Sequence, residues 1–295
     1  MNSSSSSIRN LRVNPLVQRF DQYLSKIEDA LERELGLYSW SEFYVPLRYA
    51  CEGGKRIRPL LLVLSAESIK ATKGDSLQIT EQAFLAGSAI ELLHTESVIH
   101  DDIIDEENLR RGKPSFHVKY GYNSSILTAD FVLGIILNIG SKMDNSRVSS
   151  ELSNAATKMS EGEMMEIRLA KNKQITEDEY IKVIEHKTAS LFEASTKIGA
   201  ILGEGNEDQI HAMGTFGNLL GIAYQIHDDL LDWNNEDRLF NLLVKRNAQS
   251  LEFVNNMDKL YRSYSNKAKN ELRKIEDSIS KSHLEHLTDL ASVQF

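Results

Sequence analysis

The sequence is poor in the residues that interrupt helices. It contains 4 Pro and 16 Gly among 295 residues, which favours long helices. It also lacks the signals of β-structure: no sustained alternation of polar and apolar residues, no Asn-Gly turn and no regular alternation of strand and helix patterns. We therefore predict an all-α protein, a single-domain bundle of about ten helices around a central cavity.

Cysteine and positive charge are also scarce. The one cysteine, Cys51, excludes an internal disulfide and suits a reducing compartment, so we interpret the protein as cytoplasmic. The formal net charge of -9 disfavours nucleic acid as a partner, because phosphate backbones bind to basic surfaces.

Long apolar runs are absent as well. The longest candidate, residues 126–139, contains Thr128, Asp130 and Asn138 and falls short of the roughly 18 to 20 residues of a membrane helix. We therefore predict no transmembrane segment. The serine-rich start lacks the apolar core of a signal peptide, and we expect residues 1–12 to be a disordered tail before one all-α domain over residues 13–295.

Helical periodicity and helix-end signals place the main helices. Thr176 and Glu179 match a capping box, which predicts a long helix that begins at residue 177. The predicted helices cover residues 15–36, 42–52, 60–70, 80–105, 152–169, 177–202 and 208–233, with further helical sequence to about residue 290.

Negative charge is concentrated in residues 94–111. On a helix, His94, Asp101 and Asp105 share one face, and Asp102 lies about 100° away. Apolar neighbours draw this helix toward a core, so buried carboxylates there need compensating cations. Five carboxylates occupy seven positions, ahead of a basic pair at 110–111: Asp101, Asp102, Asp105, Glu106 and Glu107.

A second stretch repeats the pattern at residues 225–232. Both stretches read D-D-x-x-D. If two helices present these triads to one cavity, only hard divalent cations hold the carboxylates together, and Mg²⁺ fits best. The polar positions of the second stretch have the spacing i, i+3, i+4 and i+7 of one helix face: Gln225, Asp228, Asp229 and Asp232.

Four motifs occur together in one order. They are G-G-K-x-x-R-P at 53–59, H-x(6)-D-D-x-x-D-x(4)-R-R-G-K-P at 94–114, K-T at 187–188 and Q-x-x-D-D-x-x-D at 225–232. In this order they resemble the trans-isoprenyl diphosphate synthase family, which includes farnesyl and geranylgeranyl diphosphate synthases. The resemblance implies an isoprenoid synthase-like fold, a homodimer and a prenyltransferase of isoprenoid biosynthesis.

The implied reaction is the Mg²⁺-dependent head-to-tail condensation of isopentenyl diphosphate with an allylic prenyl diphosphate. By this resemblance, several Mg²⁺ ions bind together with the allylic diphosphate. The first-choice metal ligands are Asp101, Asp102, Asp105 and Asp228, and Asp229 and Asp232 rank after them.

The resemblance also divides the basic residues between two substrates. Arg110, Lys187 and Gln225 correspond to ligands of the allylic diphosphate, and Thr188 faces the carbocation; we expect these four to be the catalytic residues. The expected ligands of isopentenyl diphosphate are Lys55, Arg58, His94 and Arg111, near two glycines that let backbone approach a phosphate.

The resemblance extends from about residue 16 to residue 233 and then departs from the family pattern. The family carries a glycine- and lysine-rich loop after the second aspartate motif, whereas here residues 233–295 contain neither Gly nor Pro. Lys245 and Arg246 are the candidate replacements for the loop lysine. This departure keeps open an alternative function, a catalytically weak partner subunit of a heteromeric prenyl diphosphate synthase.

A further alternative rests on His100-Asp101, which suits a metal-dependent phosphohydrolase of the HD type. That class needs additional histidine ligands, and His117, His186 and His227 lack the required helical grouping.

Product length is the remaining question. By resemblance, the position five residues before Asp101 controls it, and here that position is Glu96, which is smaller than the aromatic residue of enzymes with short products. We therefore predict geranylgeranyl diphosphate as the product, with Phe84, Leu93 and Phe131 as candidates for the channel floor.

Overall fold

The computed structural model describes residues 15–71, 81–172, 175–231, 239–246 and 251–290. The predicted tail lies outside these ranges. The helices are α1 Pro15–Gly36, α2 Tyr44–Cys51, α3 Ile57–Ala71, α4 Glu81–Ile104, α5 Phe116–Tyr120, α6 Tyr122–Lys142, α7 Ser146–Asn172, α8 Glu177–Ile184, α9 Ser190–Leu202, α10 Glu207–Leu231, α11 Leu239–Arg246, α12 Leu251–Leu272 and α13 Ile279–Leu290.

The prediction of an all-α bundle is confirmed. Among the described residues, the strands are those of one hairpin, β1 Leu109–Arg110 and β2 Lys113–Pro114, each two residues long. The predicted helix over 177–202 is continuous, and it contains one π-helical turn, Glu185–Ala189, between α8 and α9. Its capping box is present: the Thr176 hydroxyl accepts from the Glu179 amide, and the Glu179 carboxylate accepts from the Thr176 amide.

Helix α4 lies in the middle of the bundle, between α3, α6 and α9. Its apolar residues face several directions, and most are fully buried, including Ala86, Ile90 and Leu92. A helix that is apolar all round belongs in a core. The first aspartate motif, at the C-terminal end of α4, therefore follows directly on a buried helix.

A buried carboxylate connects the two ends of the chain to this core. Glu67 of α3 is 6% exposed, and its Oε2 accepts hydrogen bonds from Tyr23 of α1 (2.7 Å) and Ser280 of α13 (2.6 Å). Burial raises the pKa of Glu67, because the apolar surroundings disfavour its charged form. Both hydroxyl donors therefore offset a desolvation cost.

Helix α6 is the helix that bears on the expectation of no transmembrane segment. Among the described residues it is the helix that is long and apolar enough to cross a membrane by length and composition, and 44% of its most apolar stretch is buried in the bundle. The interruptions at Thr128, Asp130 and Asn138 include only one charged residue, so they lower its apolarity too little to exclude a span. A core helix has the same composition.

We expect Ser280→Ala to lower the free energy of unfolding by about 1–3 kcal/mol, because the buried Glu67 carboxylate loses one of its donors. Urea denaturation followed by circular dichroism measures this change. Ser282→Ala is the matched control, since Ser282 is an exposed serine of the same helix. Equal stability of the two variants would contradict the role assigned to Glu67.

Candidate active site

A cavity of 740 Å³ opens within the bundle beside the end of α4. The structure brings most of the predicted site residues to its wall. Those that line it are Arg58, His94, Asp101, Asp105, Arg110, Lys187, Thr188, Gln225, Asp228 and Asp229. The predicted convergence of both aspartate motifs on one cavity is therefore observed for these residues.

Asp102 faces a different direction from Asp101. It is 2% exposed, and Arg110 donates to its Oδ1 through both Nε, at 2.8 Å, and Nη2. Arg110 is held there by the β1–β2 hairpin, whose turn residues Arg111 and Gly112 both have positive φ angles of 53° and 74°. That combination is typical of a type I′ turn, in which glycine carries little strain.

The π-helical turn presents Lys187 and Thr188 to the cavity. Extra-residue turns of this kind interrupt α-helices most often at functional sites. Two glycines allow its close packing: a Cβ on Gly162 of α7 would lie 2.5 Å from the Lys187 amide nitrogen, and one on Gly221 of α10 would lie 2.6 Å from the Cα of Ala189. Backbone from α7 and α10 therefore confines the turn on two sides.

Lys187 is surrounded by carboxylates. Its Nζ lies 2.5 Å from Glu163, 2.7 Å from Glu166 and 3.8 Å from Asp101. Burial lowers the pKa of Lys187, but Glu166, Asp101 and Glu163 outweigh burial, so the pKa is raised overall and the ammonium stays charged.

The single positive charge of Lys187 does not balance the negative charge of these three carboxylates. Burial raises the pKa of Asp101 to about 7, with Glu163 and Asp105 adding to the shift and Lys187 opposing it. Burial also raises the pKa of Asp102 and Asp105. This wall of the cavity therefore favours an additional cation over a neutral or anionic ligand.

A hydrogen-bond chain fixes the residues of the second motif. The Thr188 hydroxyl donates to the Gln225 carbonyl oxygen at 2.9 Å, and the Gln225 amide donates to Asp229 Oδ1 at 2.9 Å. The Tyr180 hydroxyl donates to the other Asp229 oxygen at 2.7 Å. Asp229 is thus engaged with protein donors, while Asp228 lines the open cavity. Asp232 lies outside the described residues.

The donor set is suitable for divalent metal ions. Carboxylate oxygens are the ligands that Mg²⁺ prefers, and Asp101, Asp105 and Asp228 line the cavity without the strong internal pairing of Asp102 and Asp229. Within the part of the chain that the structure describes, no three acidic, histidine or cysteine side chains converge closely enough to bind a metal by themselves. Mg²⁺ would therefore need oxygen ligands from a substrate as well, which is usual for this ion.

The basic residues form a second region beside the first. The Arg58 side chain has a buried Nε without a hydrogen-bond partner, and its guanidinium lies 4.8 Å from the ring centre of Phe192. His94 is half-buried, and burial together with Arg58 and Arg111 lowers its pKa well below the usual range, so the imidazole is neutral at pH 7. A partly buried guanidinium whose Nε lacks a partner, next to further cations, is suited to an anion.

His94 and Arg110 lie where two cavities adjoin. Both residues line the large cavity and also a neighbouring one of 200 Å³, which Arg111 and Asp102 line too. Lys55 lines neither cavity and is exposed, but it is close enough to Asp228 and Arg111 for both to affect its pKa. The structure therefore places Lys55 at the edge of the site.

Sequence reasoning missed four residues that organise this site. Glu163 and Glu166 continue the helical spacing of Leu152, Ala156 and Met159 in the predicted helix 152–169. This position on one helix face with apolar residues was the available signal. Tyr180 gave no signal, because its partner Asp229 lies 49 positions away. Arg56 stood inside the G-G-K motif but was assigned no role.

Solved structures share this architecture. A geranylgeranyl pyrophosphate synthetase from the archaeon Geoglobus acetivorans superposes with a TM-score of 0.82 and 28% identity, over 93% of this chain and 99% of that one. The fold is therefore that of the isoprenoid synthases, all-α bundles around a central cavity.

Sequence relatives identify the family. A family model described as polyprenyl synthetase matches residues 41–244. A geranylgeranyl diphosphate synthase of Methanosarcina mazei is 35% identical over 223 residues, which are 74% of this chain and 67% of that protein. An octaprenyl diphosphate synthase of Escherichia coli is 34% identical over 182 residues, which are 62% of this chain and 54% of that protein. The chain belongs to the polyprenyl synthetase family of prenyltransferases.

We expect Gly162→Ala to lower kcat/KM by about 100-fold, because displacement of the turn that carries Lys187 and Thr188 by about 1 Å should cost on that order. The added Cβ would meet the backbone of Lys187, which has no room to move between α7 and α10. Steady-state prenyl transfer from an allylic diphosphate to radiolabelled isopentenyl diphosphate measures the loss.

Gly36→Ala is the control, since a Cβ at Gly36 meets no atom within 4 Å. Circular dichroism should show both variants to be helical. Unchanged activity in Gly162→Ala would mean that the turn tolerates displacement.

Proposed function

We propose that this chain condenses isopentenyl diphosphate with an allylic prenyl diphosphate head to tail in the presence of Mg²⁺. One observation carries the proposal: residues of both aspartate motifs, Lys187, Arg110 and Arg58 line one cavity, and Arg111 lines an adjoining one. This arrangement suits two diphosphate substrates, one that binds with Mg²⁺ at the carboxylates and one that binds to cations without metal.

The carboxylate wall suits the allylic diphosphate. Magnesium held by Asp101, Asp105 and Asp228 would neutralise the charge that develops on the departing diphosphate. Arg110 and Lys187 would bind the same diphosphate directly, because both cations line the cavity beside these carboxylates. As the allylic C–O bond breaks, positive charge forms on the prenyl chain.

Thr188 and Gln225 face this positive charge. The Thr188 hydroxyl hydrogen is directed to Gln225, which leaves the hydroxyl oxygen available toward the cavity. An oxygen lone pair close to the cation would stabilise it without forming a covalent bond. The new C–C bond then joins the two substrates, and a diphosphate oxygen accepts the proton that isopentenyl diphosphate releases.

Isopentenyl diphosphate binds without metal in this proposal, through Lys55, Arg58, His94 and Arg111. The unpartnered Nε of Arg58 supports it, because a buried donor of this kind gains an acceptor when an anion enters. The neutral imidazole of His94 would donate one hydrogen bond without adding charge.

We expect Asp101→Ala and Asp228→Ala each to reduce kcat by about 100-fold or more, since each removes a ligand that stabilises the leaving group. Product formation with and without excess chelator is the measurement, and chelator should abolish the wild-type activity. Asp208→Ala, an exposed aspartate at the start of α10, should retain full activity. Activity of the wild type in excess chelator would refute the metal assignment.

The second candidate function is that of a catalytically weak partner subunit. The observation that favours it is the absence of Gly and Pro after residue 233, where family members carry a glycine- and lysine-rich loop. Lys245, one candidate replacement, is exposed on α11 and does not line the cavity. Turnover by the purified chain alone distinguishes the two functions.

We propose geranylgeranyl diphosphate as the product. In support, the cavity continues from the aspartates along an apolar wall formed by α4, α6 and α7. Leu93 lines it as predicted, but Phe84 and Phe131 do not; Phe131 stacks on Phe43 at 4.7 Å instead. Apolar wall residues in their place are Leu133, Ala156, Met159 and Met164.

Glu96 also lines this part of the cavity. Its carboxylate lies 3.3 Å from His100 Nδ1, one helical turn toward Asp101. Burial raises the pKa of Glu96, with Asp130 adding to the shift and His100 opposing it. The phosphohydrolase alternative has no support, because the chain belongs to the polyprenyl synthetase family.

We expect Glu96→Ala to shift the product distribution toward longer chains, because it widens the channel, and Glu96→Tyr to shift it toward farnesyl diphosphate. Thin-layer chromatography of dephosphorylated products measures both shifts. Glu161→Tyr makes the same exchange at an exposed position of α7 outside the cavity and should leave the products unchanged. If both Glu96 variants give wild-type products, another residue limits chain growth.

We also propose a homodimer that α6 mediates. Tyr122, Ile126, Leu133 and Leu137 recur at spacings of four and seven, so they form one stripe, and each is 42–67% exposed. A stripe of large apolar side chains on a helix marks a contact surface, and a second copy of the chain would cover it symmetrically.

We expect sedimentation equilibrium at micromolar concentration to give twice the chain mass of 33.4 kDa. Leu137→Glu should reduce the measured mass, since it places a charge in the proposed interface. A mass of 33.4 kDa for the wild-type chain would exclude the dimer. The cytoplasmic location stays a prediction.

A further inference from the structure

Arg56 lies between two expected substrate ligands, Lys55 and Arg58, and it lines the 200 Å³ cavity together with His94 and Arg111. Arg56 is 5% exposed, whereas Lys55 is exposed to solvent. Its guanidinium lies in the interior of the bundle, between α1 and α4. A buried arginine needs carboxylate or carbonyl partners.

The partners of Arg56 come from three elements. Nε and Nη2 donate to the Glu28 carboxylate of α1 at 2.6 and 3.3 Å, and Nη1 donates to Glu91 of α4 at 2.6 Å. Nη2 also donates to the Cys51 carbonyl at the end of α2, at 2.6 Å. All three guanidinium nitrogens are therefore engaged, and two carboxylates surround one cation. This arrangement repels a diphosphate, so Arg56 is unsuited to direct substrate binding.

The backbone beside Arg56 has a conformation that must be held in place. Gly53, Gly54 and Arg56 have φ angles of 78°, 101° and 50°. The value at Arg56 is uncommon for a residue with a side chain. A Cβ at Gly54 would lie 3.2 Å from Arg56 Nη1 and 3.1 Å from Arg111 Nη1, so both guanidinium groups pack closely against this glycine.

We propose that Arg56 is a positioning residue for the diphosphate of isopentenyl diphosphate. Held by Glu28 and Glu91, it keeps residues 53–56 in the conformation that presents Lys55 and the glycine backbone beside Arg111. The proposal rests on the proposed function and adds to it a group that never touches the substrate. Glu91 is the critical partner, because it is 4% exposed and belongs to the central helix α4.

Glu91→Gln separates positioning from simple electrostatics. The variant keeps the charge of Arg56 and removes a negative charge near the site, so electrostatics alone predicts a lower KM for isopentenyl diphosphate. Positioning predicts the opposite: a KM raised about tenfold, with kcat and the KM for farnesyl diphosphate within about threefold of the wild type. Arg56→Lys should act in the same direction, since it keeps the charge and loses the planar fork.

Glu32→Gln is the matched control. Glu32 lies one turn from Glu28 on α1, and its ion pair with Arg48 is exposed, so its kinetic constants should equal those of the wild type. If Glu91→Gln fails to fold, Glu28→Gln answers the same question, because the Glu28 carboxylate is 45% exposed. Thermal denaturation of each variant identifies a folding failure.

An unchanged or lowered KM for isopentenyl diphosphate in a folded variant would overturn the proposal. An equal rise in both KM values would overturn it too, as would a fall in kcat alone. A wild-type protein that forms no prenyl product would refute the proposed function itself, and that result is obtained before any variant is compared.

Discussion

The site depends on an imbalance of charge around Lys187. Glu163 and Glu166 of α7 and Asp101 of α4 share this one ammonium group, and burial adds to their repulsion. Pairing with Lys187 offsets part of this repulsion, and burial raises the pKa of Asp101. The same imbalance makes the cavity receptive to divalent cations that arrive with a diphosphate. Stability and ligand preference thus have one electrostatic origin.

The backbone converts this electrostatic arrangement into geometry. Lys187 would lie elsewhere on a regular α-helix, because the π-helical turn adds a residue and rotates the rest of the helix about its axis. Gly162 and Gly221 bring the flanking helices against that turn at distances that no side chain permits. The position of one ammonium group therefore depends on two residues that contribute no functional group.

The sequence predicted the features that depend on local patterns. Helical periodicity and the Thr176 capping box predicted the long helices. The motifs predicted that Asp101, Asp228 and Lys187 share one site, and all three line one cavity. The failures concern long-range contacts. The Tyr180–Asp229 bond and the assignment of Phe131 to the channel depend on how helices pack, which periodicity does not encode. Arg56 and Arg58 are chemically alike and two positions apart, and only the fold shows that two carboxylates engage Arg56 while Arg58 keeps an Nε without a partner.

The β1–β2 hairpin has a geometric consequence for two substrates. Arg110 turns toward Asp102 and the carboxylates, while its neighbour Arg111 lies against Gly54 in the basic region. A single trans peptide unit separates them, with Cα atoms about 3.8 Å apart. In the proposed function each of these arginines binds one diphosphate, so the hairpin limits how far apart the two diphosphates can bind to the reach of two arginine side chains.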